Sequence, residues 1–128
     1  MNRALLAFGI ALGIHIFISI VMYGSRFSSA VLYQYLPYFS FIICGFVVGY
    51  LLKSKYILGG IVLGCLISIL SGILHWLAGQ FGIQLDFSNI GGAAMLAVLL
   101  SPFCITFCIL GSTVGHFMRR LISNTETL

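Results

Sequence analysis

Charge is what this chain has least of. Two acidic and six basic residues make up 6% of its 128 positions, whereas soluble domains carry about a quarter charged residues. A chain this poor in charge cannot coat a water-facing globule, so lipid is the expected solvent. Aspartate, glutamate, lysine and arginine are also missing from the interiors of the long apolar runs. Such groups inside a membrane mark proton relays and ion-coupled transport. Their absence argues against a small multidrug exporter driven by protons, an intramembrane protease and a quinone enzyme with acidic inlets. Asp86 lies in a polar stretch, so no Ser–His–Asp set fits within a bilayer. No enzyme and no cofactor are expected.

Loop cysteines are missing as well. Cys44, Cys65, Cys104 and Cys108 all lie inside apolar segments, which excludes a secreted disulfide framework and leaves small buried hydrophobes. The net charge of +4 rests on six basic residues, too few to drive nucleic-acid binding by counterion release.

What is present is apolar length. Hydrophobic residues make up 61% of the chain, and a spanning helix needs about 20 of them to cross a core of about 30 Å. Four runs qualify, at approximately 4–23, 32–52, 56–78 and 93–118. They fill a single domain. None alternates with the period of two that a barrel strand requires, so the paired backbone that lipid demands must be helical. The expected fold is an all-α, integral membrane four-helix bundle.

The run from Ala4 to Tyr23 exceeds the 7–15 residues of a typical signal-peptide core. A retained first helix is therefore expected despite the small residues Ser28-Ser29-Ala30. Arg3, Lys53, Lys55, Arg119 and Arg120 fall on one side of a four-span chain, and Arg26 alone on the other. The positive-inside rule then places both termini in the cytoplasm, as in a multi-pass protein of a bacterial inner membrane. Tyr23, Tyr33, Tyr35, Tyr38 and Trp76 would form the outer aromatic belt, and Tyr50 and Tyr56 the inner one.

Glycine organises the runs. Each carries a pair at i, i+4: Gly9 and Gly13, Gly45 and Gly49, Gly60 and Gly64, Gly111 and Gly115. On a helix such a pair shares one face, where another backbone approaches closely. The pairs recur in context: Gly9-Ile10-Ala11-Leu12-Gly13 beside Gly60-Ile61-Val62-Leu63-Gly64, and Gly45-Phe46-Val47-Val48-Gly49 beside Gly111-Ser112-Thr113-Val114-Gly115. Pro37 and Pro102 precede the later pairs by nearly equal distances. The expectation is two glycine-rich helical hairpins forming a parallel internal repeat. The plain reading of these faces is packing within the monomer; the sharper one leaves a face for a partner. Pro102, well inside its run, is expected to kink the helix, with a static bend favoured over a gating hinge.

One layer of side chains has ligand chemistry. Counted at about 1.5 Å per residue, His15 lies roughly 16 Å deep, and Cys44, Cys65 and Cys108 roughly 12–15 Å. Thiol and imidazole suit zinc or copper(I). Depth does not specify face, and no CxxC strengthens the set, so isolated core cysteines and a hydrogen-bonded histidine are the plainer reading. His75 and His116 lie near the two interfaces, where an amphipathic ring sits without further purpose.

The expected function is that of a non-enzymatic assembly or regulatory subunit. Its partners are the lipid bilayer and either a second copy or another membrane protein. The alternative is a small-solute transporter or channel formed by an oligomer.

Overall fold

A computed structural model of the chain describes residues 2–24, 30–83 and 89–126, with backbone alone for 30–34. Arg26, Ser28-Ser29, the Tyr33 side chain and Asp86 lie outside the described side chains. The described residues form four helices: α1 (Arg3–Gly24), α2 (Ala30–Leu51), α3 (Tyr56–Gln80) and α4 (Ile90–Glu126). Helices α1, α3 and α4 are each long and apolar enough to cross a membrane, and α2 adds an apolar stretch over Tyr35–Leu51.

Local chemistry sets the helix ends. Asn89 caps α4, its side-chain oxygen accepting from the Gly92 N–H at 2.6 Å, and Asn2 caps α1 through Ala4 at 3.2 Å. These caps satisfy N–H groups that have no partner within the helix. At the end of α3, Gly82 takes φ +81°. The Gly82 and Ile83 N–H groups donate back to Gly79 and Ala78 at 3.2 and 3.1 Å. This double turn needs a residue in the left-handed region, which glycine enters without steric penalty. Lys55, the residue before α3, also takes a positive φ of 56°.

Pro102 does not interrupt α4. It cannot donate to the Val98 carbonyl, and the Ser101 hydroxyl donates there instead at 2.8 Å. A carbonyl freed by proline thus finds a local partner, which is how apolar helices tolerate the residue. The apolar run ends near Met118, but α4 continues to Glu126. The polar residues that follow Arg119-Arg120 are therefore helical as far as Glu126.

Successive helices alternate in direction, so that α1 runs with α3 and α2 with α4. The α2–α4 contact is the closest. A Cβ on Gly45 or Gly49 would strike the backbone of Cys108 or Ser112; one on Gly111 or Gly115 would strike that of Ile42 or Phe46. Helix α3 lies on the other side of α4, where a Cβ on Gly64 would come within 2.5 Å of the Ile105 Cα, and one on Gly72 within 2.7 Å of the Ala93 carbonyl oxygen. Helix α1 meets α2 through Ala7, Ala11, His15 and Ser19, its buried stripe. Its backbone does not approach that of α4 among the described residues.

The resulting core is small: Phe41, Val48, Leu63 and Ile67, with Cys44, Cys104 and Cys108 among them. Polarity is distributed the opposite way from a soluble domain. His15, Ser40, Ser68 and Ser112 are buried, while Phe17, Phe39, Val98 and Leu121 are each more than half exposed.

Candidate functional site

Among the described residues, His15 is a buried polar side chain with a partner on each of two neighbouring helices. It lies in mid-α1, on the stripe that faces α2 and α3. Its Nδ1 pairs with Ser40 Oγ of α2 at 3.0 Å and its Nε2 with Ser71 Oγ of α3 at 3.1 Å. A neutral imidazole offers one donor and one acceptor, and a hydroxyl rotates to match either. Both ring nitrogens are thereby satisfied without charge. One residue ties three helices together.

These groups line a cavity of about 220 Å³ in the half of the bundle remote from Arg3, Lys53, Lys55, Arg119 and Arg120. Ser19, Tyr23 and His75 add polar atoms, while Phe41, Leu74, Leu96 and Leu100 form apolar walls. Toward the mouth, the Tyr23 hydroxyl lies 3.4 Å from His75 Nδ1, bridging α1 and α3. Toward the basic end the space closes where Ala11 and Cys44 meet, the thiol donating to the Ala11 carbonyl at 3.1 Å. Among the described residues the lining offers hydrogen bonds but no carboxylate, ammonium or guanidinium group. Such a space suits a small uncharged, hydrogen-bonding solute.

The cavity opens because the helix–helix spacing changes along the bundle. Near the basic end, glycine brings α2 onto α4 with no side chain between them. Beyond Phe41 the facing positions carry Pro37, Tyr38, Leu96 and Leu100, which hold the helices apart. A second, apolar groove of about 520 Å³ lies outside the bundle between α3 and α4, over Gly72, Ala93 and Ala97.

No family model, curated protein or solved structure matches this chain.

Of the four residues expected at one depth, Cys44 and Cys108 are buried beside α1 and α2 carbonyls, and Cys65 sits on the exposed face of α3. His15 turns to the two serines instead. No group of three or more histidine, cysteine, aspartate or glutamate side chains is gathered for a metal among the described residues. Thr106, polar and near mid-helix, is exposed and donates to its own helix at the Pro102 carbonyl, 2.7 Å away.

The four glycine pairs divide three to one. Gly45, Gly49, Gly60, Gly64, Gly111 and Gly115 are buried against neighbouring helices. Gly9 and Gly13 are exposed, and a Cβ on either would meet nothing within 4 Å. Sequence reasoning missed His75 as part of one site with His15 and did not single out Ser71 from the other serines of the apolar runs. A signal was available, since Ser71 and His75 are one turn apart on α3, but their alignment with α1 depends on the interhelical register.

Proposed function

We propose that this chain is a non-enzymatic, four-span membrane subunit that packs against a second copy or another membrane protein through α1. Both termini and the Lys53–Lys55 turn would lie on the cytoplasmic side of a bacterial inner membrane. The observation that carries this reading is the open Gly9–Gly13 face. Six glycines of the same motif are filled by a neighbouring backbone, and only this pair has none. In lipid, where apolar surface alone does not drive association, close backbone approach supplies the attraction.

The contacts also support descent from a duplicated hairpin. Gly45 meets Cys108 and Gly49 meets Ser112; in mirror fashion, Gly111 meets Ile42 and Gly115 meets Phe46. Moving each residue to its counterpart in the other half turns the first two contacts into the last two. That is the pattern of a two-fold axis along the membrane normal.

Gly13→Leu tests the proposal. Its expected effect is loss of the partner that co-purifies with wild-type protein from gently solubilised membranes, with helicity and thermal midpoint kept. Retention of the same partner by Gly13→Leu would refute the role of this face.

A second reading, passage of a small uncharged solute, is favoured by the cavity at His15, Ser40 and Ser71. Stopped-flow uptake of urea or glycerol by proteoliposomes, abolished by Ser71→Leu, would support it. Uptake no faster than in protein-free liposomes would end it.

A further inference from the structure

At the basic end, a crevice of about 250 Å³ lies between the α2–α3 turn and the last turns of α4. Its lining is Lys53, His116, Arg119, Arg120 and Ser123. Three of the chain's six basic residues therefore converge on one small space, with a hydroxyl and an imidazole among them. No carboxylate lines it, and no ion pair is formed by Lys53 or Arg120 among the described residues. Helix α4 supplies four of the five groups because it continues past the apolar run. Residues 116, 119, 120 and 123 are spaced by three and four, so they share a helical face.

His116 makes this more than a solvated basic patch. The residue is 6% exposed, its ring stacked on Tyr56 with centroids 4.1 Å apart and planes 12° from parallel. Its Nδ1 has no hydrogen-bond partner. Buried polar nitrogens are paired in the great majority of cases, so one left open calls for a partner, which for its N–H tautomer is an acceptor. Arg119 is partly engaged, its Nη1 donating to the Tyr50 carbonyl at 3.5 Å. That bond braces the guanidinium across the end of α2 while leaving other N–H groups to donate.

We propose that this crevice binds the phosphate group of a phosphate ester. A tetrahedral dianion or monoanion matches a set in which every group can donate: guanidinium from Arg119 and Arg120, ammonium from Lys53, hydroxyl from Ser123 and the imidazole N–H of His116. The phosphate has two sources, the headgroup of an anionic lipid in the adjoining leaflet or a soluble phosphate compound. Basic pockets between helices at the cytoplasmic face are the usual place for anionic headgroups. Arg119 also borders a neighbouring crevice lined by Arg3, Leu6, Tyr50 and Leu51, where a further cation stands beside the apolar side chains that would take the start of an acyl chain. The lipid source rests on the membrane placement proposed above; the anion chemistry does not.

The test uses the full chain in neutral detergent. Retention of phosphatidylglycerol is measured by native mass spectrometry against phosphatidylcholine, and binding of inorganic phosphate by equilibrium dialysis. Lys53→Gln with Arg120→Gln should weaken the bound anion by roughly tenfold or more, each basic residue near an anionic phosphate contributing severalfold. Lys55→Gln removes the same charge from the same turn without touching the crevice, and should change binding less than about twofold. Lys53→Arg with Arg120→Lys, which keeps the charges, should retain the anion and guards against misfolding as the cause of loss. Selective retention of phosphatidylglycerol assigns the lipid source, and saturable binding of phosphate in dialysis the soluble one. Binding of neither anion, or equal losses from Lys55→Gln and the crevice pair, would overturn the proposal whatever becomes of the α1 face.

Discussion

Helices α1 and α3 carry nearly the same five residues, Gly-Ile-Ala-Leu-Gly and Gly-Ile-Val-Leu-Gly, and put them to opposite uses. In α3 the glycines are buried on α4: a Cβ on Gly60 would meet Ser112 Oγ at 2.8 Å and the Ile109 Cα at 3.0 Å. In α1 the glycines face outward, and the helix is held by a different stripe, Ala7, Ala11, His15 and Ser19. A small-residue pair therefore permits close approach without choosing the neighbour. The choice falls to the polar residue on the competing face. His15 reaches hydroxyls on two helices at once, and turning Gly9 and Gly13 inward would carry it to the outer face, away from both hydroxyls.

The contrast can be broken by substitution. The largest effect is expected from Gly49→Leu, which forces a side chain into the Ser112 backbone and must push α2 from α4. A loss of about 1–3 kcal/mol or more is typical of overpacking without room to relax. Thermal unfolding in detergent would register it as a lower midpoint, or as failure to recover folded protein. The same change at Gly13 should leave the monomer's midpoint nearly unchanged, as for surface sites within about ±0.5 kcal/mol. Equal destabilisation by both variants would show that α1 is not open there.

Between these lies His15→Ala. It strands the Ser40 and Ser71 hydroxyls, at about 1–3 kcal/mol for groups left unpaired in the interior. The loss should appear chiefly as detachment of α1, so that protease or labelling reagents reach α1 before α3. Unchanged protection of α1 would mean that its alanine stripe suffices to hold it.

Much of this fold can be read from the residues. Apart from the far end of α4, the four helices begin and end within a few positions of the apolar runs, because apolar length and flanking charge are local properties. The Asn89 cap and the Gly82 turn are local too. What could not be read is anything set by helix rotation. Depth along the helix placed His15 with Cys44, Cys65 and Cys108, yet Cys65 faces outward and His15 pairs with Ser40 and Ser71. Glycine spacing marked eight packing positions without showing that two would remain open. The helical extension of α4 to Glu126 was hidden by the end of the hydropathy signal, which reports solvent rather than backbone conformation.

The most direct measurement of the α1 account is oxidative crosslinking in native membranes of Gly13→Cys, with the four natural cysteines replaced by alanine. Rapid formation of a covalent dimer, or of a discrete adduct with one other membrane protein, is expected at residue 13, while a cysteine placed at Ala11 stays unlinked. Equal crosslinking at the two positions, or none at either under conditions that oxidise a control pair, would contradict the claim that α1 presents its glycines to a partner.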